Sequence, residues 1–206
     1  MSTHSNPFVQ GGWYGQSQFS LGPDGTSNPQ SAYGALPLGI PNNGVGHTLY
    51  QFTQPNPTIL NSIVVSAADQ RPRWKLTTDH SLAGYTTFKD ADGKGVALIE
   101  WNPLPKVEIR GSLAKMPASE WLRVAMDSRF GRSVRQMDIR GARFVWCPNG
   151  DFIHLFTQTP ESSPCVTVAK RRSVVDISFT PQAISWGLVE PCIVAVALLL
   201  SGRRLE

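Results

Sequence analysis

Few side chains in this sequence have the types and spacing that chemistry needs. Cys147 and His154 lie on the two arms of a predicted hairpin, where a thiol and an imidazole can approach as a thiolate–imidazole pair. The plainer reading is a buried cysteine and an unrelated histidine. Asp90-x-Asp92-Gly93 opens like a calcium loop, but its fifth and twelfth positions are Lys94 and Trp101 where oxygen ligands are required. It reads as a hairpin turn. His4, His47, His80 and His154 form no HExxH pair, no GxSxG elbow is present, and no glycine-rich phosphate loop links a strand to a helix. The expectation is a protein without a catalytic, cofactor or metal site.

The basic residues are more informative. On a strand, Arg71, Arg73 and Lys75 share one face, opposite Trp74 and Leu76. Lys170, Arg171 and Arg172 fall in a predicted hairpin turn. A third stretch runs through Arg123, Arg129, Arg132, Arg135, Arg140 and Arg143, with Asp127 and Asp138 among them. A guanidinium fork engages two phosphate oxygens at once, so such clusters suit phosphate-bearing partners. The first two groups are the candidate contacts for an anionic membrane surface. The third, like any outer sheet face, also reads as solvated surface. The alternative is a protein-interaction or self-assembly module working through an aromatic N-terminal segment. Nucleic acid fits poorly, because no recognition helix or aromatic RNA-binding pattern accompanies the arginines.

The elements that must position these residues change character along the chain. Residues 1–48 hold one charged side chain, Asp24, among Gly, Pro, Ser, Asn and Gln with scattered aromatics, and show neither helical nor strand period. They bury too little apolar surface to offset their ordering entropy and are expected to form a disordered tail. Residues 49–206 form the folded domain. About ten or eleven short alternating or apolar runs separated by turn signals indicate a mainly β barrel or sandwich. Asp90–Gly95 and Pro148–Asp151 are hairpin turns, the second carrying Asn149-Gly150. One short helix is expected from Pro117, with Trp121, Leu122 and Ala125 as its buried face.

Trp186–Leu200 is apolar apart from Gly187, Glu190 and Pro191, and such a helix must be buried on all sides. It is too short and too interrupted for a membrane span, which needs about 18–20 apolar residues. The expected place for it is the inside of a β-barrel. The net charge of +4 is compatible with an acidic partner without requiring one. Three cysteines without CxxC spacing, no apparent secretory signal and no usable glycosylation acceptor indicate an intracellular, cytoplasmic protein.

Tyr50 and Phe52, Pro57-Thr58-Ile59-Leu60, Trp74-Lys75-Leu76-Thr77-Thr78, Val96 to Trp101, Ile109-Arg110-Gly111, Glu120-Trp121-Leu122, Phe144-Val145-Trp146 and Val168-Ala169 follow one another before the apolar terminal segment. In that order they resemble a fungal family of uncharacterised proteins, a domain of unknown function. Its relatives are the tubby-like, LURP-one-related and phospholipid-scramblase barrels. The resemblance covers residues 49 to 204. It implies a closed antiparallel barrel of about twelve strands threaded by the C-terminal helix, in which closure removes exposed edges. The wider group implies contact with membrane lipid or phosphoinositide, an analogy of fold.

Overall fold

The computed structural model describes residues 46–79, 84–159, 163–171 and 173–206. Residues 1–45 of the expected tail, with His4, and also His80 and Arg172, therefore lie outside the described residues; Thr48, at the end of that tail, already belongs to the first strand. Strand-forming runs separated by turns give β1 (Thr48–Thr53), β2 (Ser62–Ser66), β3 (Pro72–Asp79), β4 (Tyr85–Asp90), β5 (Gly95–Glu100), β6 (Lys106–Ile109) and β7 (Leu113–Pro117). After a four-residue helix α1 (Ala118–Trp121) come β8 (Leu122–Asp127), β9 (Arg132–Ile139), β10 (Ala142–Asn149), β11 (Phe152–Thr157), β12 (Val166–Lys170) and β13 (Val175–Phe179). Helices α2 (Pro181–Ser185) and α3 (Val189–Leu199) finish the chain.

All thirteen strands among the described residues belong to one antiparallel sheet. Its order is β7-β6-β5-β4-β3-β2-β1-β13-β12-β11-β10-β9-β8, so strands pair with their sequence neighbours, except that β7 and β8 lie at the two ends, and β1 pairs with β13. The expected closed barrel is not formed. Thirteen alternating directions leave the two outermost strands, β7 and β8, running the same way, and no antiparallel ladder can join them. They are instead consecutive in the chain, linked by α1. The Ala118 amide donates to the Pro105 carbonyl, and Ala118 and Trp121 are buried at this seam.

The short helix expected from Pro117 also ends earlier than its apolar pattern implies. Leu122 and Ala125 pair with Met137 and Val134 as part of β8, because ladder hydrogen bonds to β9 outweigh a marginal four-residue helix.

Helix α3 is the centre of the core, and every residue from Pro191 to Leu199 is buried. The inward faces of the strands close on it through Phe52, Val64, Phe88, Ile99, Val107, Met137, Trp146, Leu155, Val168 and Ile177. Pro191 is tolerated because it sits in the first turn, where its missing N–H has no intrahelical acceptor. Eleven residues at about 1.5 Å rise span some 16 Å, about half a bilayer core. Among the described residues no helix is long and apolar enough to cross a membrane.

Beyond α3 the chain folds back. Leu205 is buried, Glu206 pairs with the buried Arg135 at 2.7 Å, and the Arg203 guanidinium lies 4.4 Å from the Trp101 ring centroid.

Candidate basic surface

Strand alternation turns Trp74 and Leu76 inward and leaves Arg73 and Lys75 outward on β3, as expected, with Arg71 exposed in the turn just before it. The three do not behave alike. Arg73 donates to Asp69 at 2.9 Å, and Arg71 stands 3.9 Å from the same carboxylate while its amide donates to Asp69 at 3.1 Å. The hydrogen bond from the Arg71 amide, followed by one from the Ser66 hydroxyl and then by the two guanidinium charges, holds the Asp69 carboxyl below its ordinary range. Lys75 has no acid on it among the described residues. In register it faces Lys89 of β4, and the next base along the same outward row is Arg110, whose amide donates to the Val96 carbonyl at 2.9 Å.

Two shallow grooves share Lys89. One, of about 290 Å³, includes Arg73 and Lys75; the other, of about 230 Å³, includes Thr87, Leu98, Glu108 and Arg110. Lys89 and Arg110 were missed by reading clusters of consecutive bases. The signal for Lys89 was its place on the strand leading into the hairpin turn Asp90–Gly95; on its other side that strand pairs with β3, which sets Lys75 beside it. The signal for Arg110 was the alternation that places it on the face of Glu108.

The second candidate group goes elsewhere. The β12–β13 and β2–β3 turns lie at opposite ends of the strands, and β12 is four strand spacings from β3, or about 19 Å along the sheet. Lys170 ends β12 and is exposed, but Arg171 is committed to the fold. Its Nε donates at 2.7 Å to Asp176, a carboxylate with only 3% side-chain exposure that also accepts from Gln51 Nε2 at 2.8 Å. The two predicted clusters therefore do not form one surface.

The third group is tied to the molecule at every position. Arg123 and Arg143 both bind Asp138 at 2.8 Å. The Arg143 hydrogen bond, ahead of the Arg123 charge, lowers that carboxyl's pKa. Arg129 binds Asp127 and the carbonyls of Thr157 and Thr159, and Arg132 donates to the Pro148 carbonyl. Arg135 points into the core, donating to the Leu122 carbonyl, and Arg140 donates to Ser112 Oγ.

Residues 55–196, about two thirds of the chain and running from before β2 into α3, match the family of unknown function DUF6593. The chain belongs to the DUF6593 family. No curated protein matches it. A solved X-ray structure of a protein from Arabidopsis thaliana is similar over 74% of this chain and 91% of its own, with 7% identity and a TM-score of 0.45.

The remaining chemistry of this DUF6593 domain is quiet. Cys147 and His154 are direct partners in the β10–β11 ladder, but neither side chain engages the other. The Cys147 thiol is directed to the Pro148 carbonyl, and His154 Nδ1 is bonded to Thr167 Oγ1 at 3.1 Å. Burial raises the thiol pKa and lowers that of the imidazole, so both are held neutral and no thiolate–imidazolium pair forms. Cys165 and Cys192 are deeper still, with Cys165 pushed by burial to about 11. Asp90 spends its carboxylate on the amides of Asp92 and Lys94, as a turn residue does, and among the described residues no metal-binding cluster of His, Cys, Asp or Glu exists.

Proposed function

We propose that this DUF6593 domain is a non-enzymatic module that docks on anionic membrane lipid, phosphoinositide included, through the outward row of β3 to β6. The contacts are Arg71, Arg73 and Lys75, extended by Lys89 and Arg110. The observation that carries the reading is Lys75 directly opposite Lys89. Like charges facing each other across an antiparallel ladder are destabilising, and no acid among the described residues sits on either one. A phosphate-bearing surface supplies the missing countercharge, and near an anionic membrane each base contributes about 1 kcal/mol. Lys170 is too far round the sheet to share one flat contact, and Arg171 is left to the fold.

A sheet wound about one apolar helix also supports kinship with the tubby-like, LURP-one-related and scramblase barrels. The setting proposed is the cytoplasmic face of a membrane inside the cell.

The test is sedimentation of the intact chain with vesicles of neutral lipid and of neutral lipid doped with phosphatidylserine or a phosphoinositide. Binding to the doped vesicles alone, falling steeply as salt is raised, is the expected result. Equal binding to neutral vesicles, or none to either, overturns the reading.

Association with another protein is a second reading. One observation favours it: β8 is an outermost strand, and its Val124 and Met126 are 47% and 75% exposed. Concentration-dependent dimerisation that Met126→Lys abolishes is its signature. Self-assembly through the aromatic N-terminal segment concerns residues outside those described.

A further inference from the structure

A groove of about 420 Å³ opens beside the turn between β9 and β10. Its floor is apolar and belongs to the core: Ile139, Phe144 and Leu188 are all buried. Trp186, half-buried, forms a wall, with its ring centroid 5.9 Å from that of Phe144. Arg140 and Arg143 stand at the mouth. Asp138 holds Arg143, so Arg140 is the base there whose charge is not met by an acid among the described residues; its bond is to the Ser112 hydroxyl.

The way Arg140 is placed is unusual. Arg140-Gly141 is a two-residue hairpin loop with φ of 50° and 79°, a left-handed pair of positions that normally selects Asn or Asp followed by Gly. An arginine occupies the first position instead, against the steric preference of its backbone. Gly187, also left-handed at φ 69°, lies directly beneath it. A Cβ there would come 2.4 Å from Arg140 Nη1, so any side chain at 187 would displace the guanidinium from the lip of the groove. Two backbone concessions, one in each wall, thus hold one cation over an apolar slot.

From this we infer that the groove is a binding site for a single-chain anionic lipid, a lysophospholipid. Its acyl chain enters between Phe144, Trp186 and Leu188, and its phosphate meets Arg140. An apolar floor with one charged group fixing orientation is the usual composition of a small-ligand site, and the volume lies in the usual range. The site goes beyond docking on a bilayer and stands on separate residues.

The experiment follows the Trp186 indole resonance of the full chain in ¹H–¹⁵N spectra, assigned with Trp186→Phe. Lauroyl lysophosphatidic acid is added below its micelle concentration. Saturable shifts are expected, with much weaker effects from glycerol 3-phosphate, which lacks the chain, and from dodecanol, which lacks the charge. Arg140→Asn restores the residue the turn prefers, so folding is preserved, and it should weaken binding by about tenfold through loss of a charge-assisted bond. No saturable shift in the wild type overturns the inference. So does glycerol 3-phosphate binding as tightly as the acylated probe, or Arg140→Asn binding like wild type. Lys75→Glu/Lys89→Glu should bind the probe normally. In the wild type, no vesicle binding with saturable probe binding counts against docking alone, and vesicle binding without saturable probe binding counts against the groove alone.

Discussion

On β3 to β6 the outward positions carry Lys75, Thr77, Thr87, Lys89, Glu108 and Arg110, open to solvent or half-covered. On β9 to β11 the outward positions of the same sheet carry Val134, Val145, Cys147 and Phe156. There the β8–β9 turn folds over the sheet. Phe130 packs on Phe156 at 4.9 Å, Arg129 lies over the Phe130 ring, and the bonds of Arg129 to Asp127 and to the Thr157 and Thr159 carbonyls fasten the cover. One flank has met its own needs and is a small second core. The other leaves like charges facing each other with none of the described residues laid over them. Position on the outside of a sheet does not by itself mark a surface for partners; unmet charge does.

The largest expected effect breaks this comparison in the covered flank. Val145→Asp puts an unpaired charge into the outer cluster and should cost about 3–5 kcal/mol, read by urea unfolding. Lys75→Asp, on the outward face of the same sheet and opposite Lys89, should not destabilise and should change stability by at most about 1 kcal/mol. Equal effects would mean that the two flanks are not different in kind.

Arg171 separates the two groups of bases in the same way. Arg171→Gln removes the charged partner of buried Asp176 and should cost about 1–3 kcal/mol. If it is neutral to folding and weakens vesicle binding instead, the assignment of Arg171 to the fold is wrong.

A smaller effect concerns His154 in the covered flank. Its pKa is depressed by burial below the ordinary 6.5, so the unfolded chain binds more protons just below that pH. Its contribution to stability is full above about pH 6.5 and is lost as pH falls below it, levelling off beneath the folded pKa. His154→Gln should flatten that part of the stability–pH curve. An unchanged slope would place the titrating group elsewhere.

The smallest effect sharpens the open flank. Lys89→Glu converts a repulsive cross-strand pair into an attractive one and should stabilise the domain by about 0.2–1 kcal/mol. A loss of stability would show that Lys89 already has a partner.

Much of this architecture was legible in residue patterns. Alternation in Arg73-Trp74-Lys75-Leu76 gave the inward and outward faces, Asn149-Gly150 marked a hairpin, and Cys192 to Leu199, all buried in α3, were visible as an apolar run without a polar face. Closure was not legible, because it depends on the parity of the strand count, and the seam strand after α1 looked helical in isolation. The site was half legible. Consecutive bases showed in sequence, but whether each is free depends on acids brought in by pairing: Asp176 from the next strand took Arg171, while Lys89 came opposite Lys75 through a hairpin. Glu108 illustrates the same point. It lies on a different strand from Lys75 yet shares a groove with Lys89 and Arg110, so reversing it bears on the basic row rather than standing outside it.

The central claim is that the unmet charge of β3 to β6 is what a membrane sees. The most direct measurement compares sedimentation with phosphoinositide-doped vesicles for wild type, Lys75→Glu/Lys89→Glu/Arg110→Glu and Arg123→Glu/Arg132→Glu, each checked for an intact thermal transition. The account predicts that the first variant binds about two orders of magnitude more weakly, from roughly 1 kcal/mol per base lost and a repulsion gained, and that the second binds within about threefold of wild type because its arginines already serve Asp138 and Pro148. Equal loss in both variants, or wild-type binding by the first, would contradict it.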